Sequence, residues 1–221
     1  MRTALSLNKI ESVYNRTAPR YDWLHGWGTY RLDQRGRRLV VQHGVIEGDV
    51  VLDAGGGTGT TALMAARAVG AKGRVTVLDI SSGMLARARE KARQAKLGDR
   101  IDFVEGDMLR LNFPDNTFDA VLSTYSACPL YNPADGALEL YRVLKPGGRL
   151  AMAHSIEAPG KLARGVSNFL EGILWQFPML SLGCRAVEVL PALENVGARL
   201  DFHRVIGFIP FYFRVFVVRK S

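Results

Sequence analysis

Cysteine is scarce in this chain: Cys128 and Cys184 are the two among 221 residues. Thiols so far apart in sequence provide neither a disulfide framework nor the close spacing of a zinc site, and we expect no structural metal. The scarcity fits a reducing, cytoplasmic compartment. With 48% apolar residues, a chain of this length can bury one sizeable core and needs no covalent cross-link.

Long apolar runs are also absent. The most apolar segment, 169–183, is interrupted by Glu171, Gln176 and Pro178, whereas a membrane-spanning helix needs roughly 20 nearly uninterrupted apolar residues. Residues 1–11 contain no compact apolar run followed by a small-residue cleavage site, so we expect no secretory signal. Both absences favour a cytoplasmic protein without a membrane span.

Acidic residues are fewer than basic ones, 21 against 29, which gives a formal net charge of +8. The densest basic run lies on a predicted helix, 82–96, whose apolar positions Met84, Ala88, Ala92 and Ala95 recur at helical spacing. We interpret the basic positions as the solvated face of that helix. Without an aromatic and basic nucleic-acid surface in the sequence pattern, we expect no nucleic-acid partner.

Strand and helix patterns alternate along most of the chain, without an internal repeat or a domain linker. Helices are predicted at 5–21, 31–44, 60–69, 82–96, 133–144 and 185–195, and strands at 49–54, 74–79, 101–105, 118–123, 149–154, 199–207 and 211–219. This alternation predicts an α/β fold with a Rossmann-like, doubly wound, mainly parallel sheet that ends in an antiparallel hairpin. We divide the chain into an N-terminal helical lid, 1–45, and a domain, 46–221, with a helical insertion near 160–183.

A glycine-rich turn follows the first predicted strand. Asp53 and Asp79 each end a predicted strand, and Gly55, Gly57 and Gly59 follow the first of them. In an open parallel sheet, ligands bind beyond the carboxyl ends of the strands, and glycines allow the backbone to lie close to a ligand. The sequence therefore predicts a ligand site at this turn.

Two cofactors compete for the site. Residues 57–62 fit the G-x-G-x-x-A of a dinucleotide site, and Asp79 follows at the distance of a ribose-binding acid. Asp53 favours another ligand, because its carboxylate suits the ammonium of an amino-acid moiety and would repel a pyrophosphate. S-adenosyl-L-methionine (SAM) is therefore the better ligand.

Five segments, 51–59, 78–85, 106–108, 113–119 and 141–150, resemble successive motifs of the class I SAM-dependent methyltransferases. The resemblance implies a cofactor site formed by Asp53, Gly55, Gly57, Thr58, Gly59, Asp79, Ile80, Met84, Asp107, Met108, Ser123 and Thr124. Within it, Asp79 is implied to bind the ribose hydroxyls. Ile80 and Met108 are implied to sandwich the adenine, and Asp107 to accept its exocyclic amine.

The opening segment, 14–22, resembles that of the ubiquinone/menaquinone-biosynthesis C-methyltransferases, which implies a quinone-type acceptor. The loops at 127–132 and 153–155, which border the acceptor in this fold, differ from that subfamily. Bacterial phospholipid N-methyltransferases share a similar opening, so a phosphatidylethanolamine-type lipid or a small amine is an alternative acceptor. A SAM-binding module without catalysis is the alternative of another class.

An apolar insertion, 162–183, favours a lipid-like acceptor over another small acceptor. Three interpretations are open: it walls a pocket, lies on the inner face of a membrane as a peripheral contact, or is an ordinary core helix. The aromatic residues at 208–213 belong either to the same surface or to the strand core. Homodimer formation is also left open.

Methyl transfer from a sulfonium is an in-line displacement that depends on orientation and exclusion of water. His154, at a strand end beside the predicted site, is our candidate general base for a phenol-type acceptor. Tyr125 is expected to orient the acceptor, and Tyr21 to act from the lid together with Tyr14.

Overall fold

The structure is a computed structural model that describes residues 6–28, 30–176 and 184–221. Its helices are α1 (Leu7–Thr17), α2 (Tyr21–Gly28), α3 (Leu32–Gly44), α4 (Thr60–Ala68), α5 (Ser82–Gln94), α6 (Pro133–Arg142), α7 (Lys161–Trp175) and α8 (Leu190–Asn195). Its strands are β1 (Val50–Ala54), β2 (Arg74–Asp79), β3 (Ile101–Glu105), β4 (Phe118–Thr124), β5 (Leu144–Ser155), β6 (Arg199–Phe208) and β7 (Phe211–Arg219). A short 3-10 turn, Ala18–Arg20, joins α1 to α2.

The seven strands form one sheet in the order β3-β2-β1-β4-β5-β7-β6. Strands β1 to β5 pair in parallel with one another, and β7 pairs antiparallel with both β5 and β6. The predicted α/β fold with a C-terminal antiparallel hairpin is therefore confirmed. The order reverses direction beside β1, which is the topological switch point where ligands bind in such sheets.

Apolar side chains cover both faces of the sheet. One buried cluster joins the sheet to α6 and α8 and includes Leu140 and Leu193. The other joins it to α3, α4 and α5 and includes Val40, Ala65 and Leu85. Strands buried on both faces explain why their sequences are continuous apolar runs.

Three predicted boundaries were wrong by more than two residues. The helix expected at 5–21 ends at Thr17, and the separate helix α2 that follows was not predicted. The helix expected at 185–195 begins at Leu190, because Pro191 suits the first turn of a helix, while the Val187 amide donates to the Ser155 carbonyl. Strand β5 begins at Leu144 instead of 149. The turn expected there lies within the strand, where the Gly147 amide donates to the Lys220 carbonyl.

The N-terminal helices lie against the carboxyl edge of the sheet. Ser81 caps α5, and its hydroxyl accepts a hydrogen bond from the Met84 amide. The Asn15 side chain of α1 accepts hydrogen bonds from the Ser81 hydroxyl at 2.6 Å and the Gly83 amide at 3.0 Å. Within the described residues, no helix is both long and apolar enough to cross a membrane.

Candidate cofactor and acceptor cleft

A cleft opens at the carboxyl ends of β1 and β2, beneath α1 and α2. It encloses about 740 Å³ of empty space, part of it open to solvent. It is lined by Leu7, Ile10, Tyr14, Tyr21, Arg37, Gly55, Gly56, Gly57, Thr58, Leu78, Asp79, Ile80, Met84, Gly106, Asp107, Met108, Thr124, Tyr125, Ser126, Pro129 and Leu130. Most residues predicted to bind a cofactor are therefore brought together here.

The glycine turn after β1 has a left-handed backbone, with φ of +65° at Gly55 and +56° at Gly57. A Cβ at Gly55 would lie 2.3 Å from the Ser126 Cβ, so a side chain does not fit. A Cβ at Gly57 would meet no atom within 4 Å, so this backbone faces open space in the cleft. Glycine is required at the first position by packing and leaves room for a ligand at the second.

Asp79 ends β2 and shapes the same turn. One carboxylate oxygen accepts a hydrogen bond from the Gly57 amide at 2.8 Å, and the other accepts one from the Ser81 amide at 2.9 Å. Burial raises the pKa of Asp79, although these backbone amides oppose the shift. The carboxylate thus lies in the cleft as a hydrogen-bond acceptor held in place by backbone donors.

Asp53 is fully buried behind the glycine turn and is not among the lining residues. Neither carboxylate oxygen has a hydrogen-bond partner of ordinary geometry among the described residues. Burial raises the pKa of Asp53 to about 7, although Arg37 and the Ala62 amide favour the charged form. A buried carboxylate of this kind is poised to gain a cationic partner.

Arg37, on α3, is a cleft residue that the sequence did not single out. Its side chain is 5% exposed and donates hydrogen bonds to the hydroxyls of Thr61 at 2.8 Å and Thr124 at 2.9 Å. Its Nε lies 3.7 Å from Asp33, four residues earlier. That acid–base spacing was the one available signal, because a buried arginine needs such partners.

The side chains predicted to surround an adenine also line the cleft. Ile80, Met84 and Met108 contribute apolar surface, and the Asp107 carboxylate lies beside them. One Asp107 oxygen accepts the Leu109 amide at 2.9 Å, which fixes its orientation. This part of the cleft combines apolar walls with one acceptor, as an amino-purine requires.

Three further predicted positions differ in placement. Thr124 lines the cleft, whereas Ser123 and Gly59 do not. The Ser123 hydroxyl lies 2.7 Å from the Ser126 hydroxyl, and a Cβ at Gly59 would lie 3.0 Å from the Ala88 Cβ. Ser123 and Gly59 are therefore positioned to support the turn and its packing against α5.

The lid prediction concerned Tyr14 and Tyr21, and both line the cleft. Their ring centroids are 6.1 Å apart. Burial raises the pKa of both phenols, so they stay protonated near neutral pH and can donate but not act as bases. Asp22, next to them, accepts a 2.6 Å hydrogen bond from the Thr58 hydroxyl and pairs with Lys91 at 2.9 Å.

The positions of the His154 and Tyr125 side chains do not fit the roles predicted for them. His154 is fully buried in β5, does not line the cleft and has a pKa lowered by burial to about 4. Its position is unsuited to a base for a substrate in the cleft. Tyr125 lines the cleft, but its hydroxyl is turned to α3, where it donates to the Asp33 carbonyl at 3.3 Å.

The apolar insertion forms α7, and residues 177–183 of it lie outside the described residues. Among the described residues, none from α7 lines the cleft. Among the side chains of α7 that the structure describes, the large apolar ones that are exposed are Leu162, Val166, Phe169 and Ile173. These four share one outer face of the helix, so the described part of α7 is not an ordinary core helix.

The chain is similar to known methyltransferases. A family model described as a methyltransferase domain matches residues 51–148. The chain is 33% identical over 148 residues to the ubiquinone/menaquinone biosynthesis C-methyltransferase UbiE of Enterobacter sp. (strain 638), covering 66% of this chain and 59% of that protein. UbiE of Escherichia coli O1:K1 is 33% identical over 142 residues, covering 64% and 57%. The matched region thus spans less than two thirds of the length of these relatives.

Solved structures share the fold at low sequence identity. The [4+2]-cyclase SpnF has a TM-score of 0.78 at 21% identity, covering 100% of this chain and 98% of its own. Geranyl diphosphate C-methyltransferase from Streptomyces coelicolor A3(2), in complex with S-adenosyl-L-homocysteine, has a TM-score of 0.71 at 19% identity, covering 87% and 80%. This chain therefore has the fold of the class I methyltransferases and carries, over residues 51–148, a methyltransferase domain.

Proposed function

We propose that this protein transfers the methyl group of SAM to an apolar ring acceptor of the quinone type. The observation that carries the proposal is the composition of the cleft. Arg37 lies at its floor, Asp53 is buried behind the glycine turn, and the lining away from that turn is apolar and aromatic. This second part is lined by Leu7, Ile10, Tyr14, Tyr21, Pro129 and Leu130.

The residues fit a zwitterionic nucleoside cofactor. Asp53 is the partner for the ammonium of the amino-acid moiety, and Arg37 is the partner for its carboxylate. Asp79 accepts from the ribose hydroxyls, while Ile80 and Met108 contact the adenine. SAM, when bound, supplies an electrophilic methyl group on a sulfonium.

The chain's own contribution to the reaction is orientation and exclusion of water. Residues 6–28 act as the lid, because Tyr14 and Tyr21 close one side of the cleft while Asp22 joins the segment to the glycine turn; α3 packs in the core instead. The protonated Tyr21 phenol donates a hydrogen bond to a ring oxygen of the acceptor. An apolar acceptor is favoured because Arg37, at the floor, is the one cation among the described lining residues.

Label transfer from SAM tests the acceptor. The panel contains a reduced demethylated quinone with a short side chain, phosphatidylethanolamine and small amines. We expect label on a ring carbon of the quinol, in a product stable to mild base. Label on phosphatidylethanolamine or on amines alone would replace the proposed acceptor class. SAM binding without label on any acceptor would favour a module without methyl transfer, a use of this fold with which the cyclase SpnF is consistent.

A further inference from the structure

A basic and aromatic surface lies on the outer side of α3, away from the cleft. Arg31, Arg35 and Arg38 are exposed and follow one another at helical spacing, so they form one line along the helix. The edge strand β6 adds the exposed Arg204. We call this surface the arginine face; its members are Trp23, Tyr30, Arg31, Arg35, Arg38, Arg204, Phe208 and Ile209.

These residues are neighbours in the fold. The Tyr30 ring lies 5.6 Å from the Phe208 ring at the tip of the β6–β7 hairpin. Trp23, Tyr30 and Arg31 line one shallow cleft beside α2. Arg204 shares its side of the sheet with Ile206, which packs in the core cluster beneath α3. The arginine line is therefore bordered by aromatic groups from two elements.

The apolar members are strongly exposed. The exposed fractions are 66% for Trp23, 72% for Tyr30, 45% for Phe208 and 43% for Ile209. Single exposed apolar residues are ordinary, but a group of this kind marks an interaction surface. Trp and Tyr in particular are enriched where a protein meets the interface of a membrane.

The charge of the arginine face is not neutralised by its acidic neighbours. Asp33, the acid on α3, is buried and lies 3.7 Å from the Arg37 Nε on the inner side. Asp22 on α2 pairs with Lys91. Among the described residues no acid forms an ion pair with Arg31, Arg35, Arg38 or Arg204, so the four arginines present a net positive charge, which attracts anionic headgroups.

The outer face of α7 offers a contrast. Its apolar residues are exposed too, but no basic residue of the described helix shares their face: Arg164 lies on the opposite side of the helix, where it pairs with Glu157. The exposed face of α7 therefore has no charge pattern that would indicate its binding partner. The arginine face combines exposed apolar side chains with positive charge, so the chemistry of its binding partner can be inferred.

We propose that the arginine face binds the surface of an anionic phospholipid membrane. Its arginines lie over the headgroups, while Trp23, Tyr30, Phe208 and Ile209 enter the interface. Nucleic acid would also attract the arginines, but bases stack on flat rings along a groove. An aliphatic Ile209 beside Phe208 at a projecting hairpin tip suits lipid better. This proposal goes beyond methyl transfer and requires no particular acceptor.

Co-sedimentation with vesicles tests the proposal without an activity assay. The full chain is mixed with vesicles of phosphatidylcholine alone or with about 30% phosphatidylglycerol, the anionic lipid. We expect binding to the anionic vesicles and at least about 100-fold weaker binding to the neutral ones. Because one arginine near an anionic surface strengthens binding about five-fold, R31Q/R35Q/R38Q should lower the partition coefficient about 100-fold.

A matched control removes the same charge elsewhere. Lys72, Arg87 and Lys96 are exposed outside the arginine face, and K72Q/R87Q/K96Q should bind vesicles within about two-fold of the wild type. Phe208→Ser should weaken binding at constant charge. Absence of vesicle binding by the wild-type protein, or an equal loss in the control, would overturn the proposal. So would tight binding of a single-stranded oligonucleotide without vesicle binding.

Discussion

The Asp22 carboxylate on α2 accepts a 2.6 Å hydrogen bond from the Thr58 hydroxyl of the glycine turn. Lys91, on α5, donates to the same carboxylate at 2.9 Å and to the Thr60 hydroxyl at 2.8 Å. Burial alone would raise the pKa of Asp22, but the hydrogen bond from Thr58 and the charge of Lys91 lower it below its usual value. One charged contact thus joins the lid, the glycine turn and a helix of the domain.

Breaking this contact should release SAM faster. In Asp22→Asn the ion pair with Lys91 is lost, and we expect the dissociation rate of SAM to rise about three- to five-fold, because ion pairs of this exposure contribute about 0.6 to 1 kcal/mol. Stopped-flow displacement of bound SAM measures the rate. Glu194→Gln, an exposed acid on α8, should have no effect.

A double-mutant cycle distinguishes loss of the Asp22–Lys91 contact from general destabilisation of the fold. Lys91→Met alone should raise the rate as Asp22→Asn does, and the double variant should add little, since both changes remove one interaction. Fully additive effects would show that the two residues do not act together, and the lid would need another fastening.

Asp53 makes SAM binding depend on pH. With its pKa at about 7 in the ligand-free protein, the carboxyl is neutral below that pH and must lose its proton to pair with an ammonium. We therefore expect SAM affinity to rise about ten-fold per pH unit up to about pH 7 and to level off above it. Titration calorimetry across this range measures the effect.

Asp53→Asn should remove that pH dependence and weaken SAM binding above neutral pH. In the ligand-free protein the same change should stabilise the fold there by about 1 to 3 kcal/mol, because the folded state binds its proton more tightly than the unfolded state and loses stability as pH rises from about 4 to 7. A SAM affinity that is independent of pH in the wild type would contradict this role.

Arg37 should discriminate SAM from ligands without a carboxylate. Arg37→Met removes the charge of the guanidinium group. The Thr61 and Thr124 hydroxyls, which lie 2.8 Å apart, remain hydrogen-bonded to each other. We expect SAM to bind about 10- to 100-fold more weakly and methylthioadenosine, which lacks the amino-acid moiety, to bind as before. An equal loss of affinity for both ligands would show that Arg37 supports the fold and does not bind the carboxylate of SAM.

His154 should affect stability in acid and leave methyl transfer intact. Its pKa is lowered to about 4 by burial, so between about pH 6.5 and 4 the unfolded state binds the proton and stability falls as pH falls. His154→Leu should remove this loss, as urea unfolding at several pH values would measure. A large fall in kcat with unchanged SAM affinity would restore His154 to the reaction.

The sequence predicted the sheet and the glycine turn because their signals are local. Buried strands are short apolar runs, and the acids at positions 53 and 79 directly follow the strand interiors that place them. Strand β5 shows where local signals stop. Its two faces are both covered, so alternation could not reveal that His154 is turned away from the cleft.

Arg37 and the arginine face were missed for a related reason. A charged residue on a helix is interpreted as solvated unless its partners are known, and the partners of Arg37 are Thr61 and Thr124, far away in the sequence. The arginine face is assembled from α2, α3 and the β6–β7 hairpin, so no single segment carries its pattern. Tertiary contacts, which sequence patterns do not contain, decide both features.

SAM binding to two glycine variants tests the central claim most directly. Gly57 and Gly147 both have positive φ and open space where a Cβ would lie, but Gly57 alone of the two lines the cleft. Each alanine substitution should cost about 1 kcal/mol of stability. By titration calorimetry, we expect one SAM per chain in the wild type and in Gly147→Ala, and affinity at least about 50-fold weaker in Gly57→Ala, because its methyl group occupies ligand space. Failure of the wild-type protein to bind SAM, or equal affinity in both variants, would contradict the account.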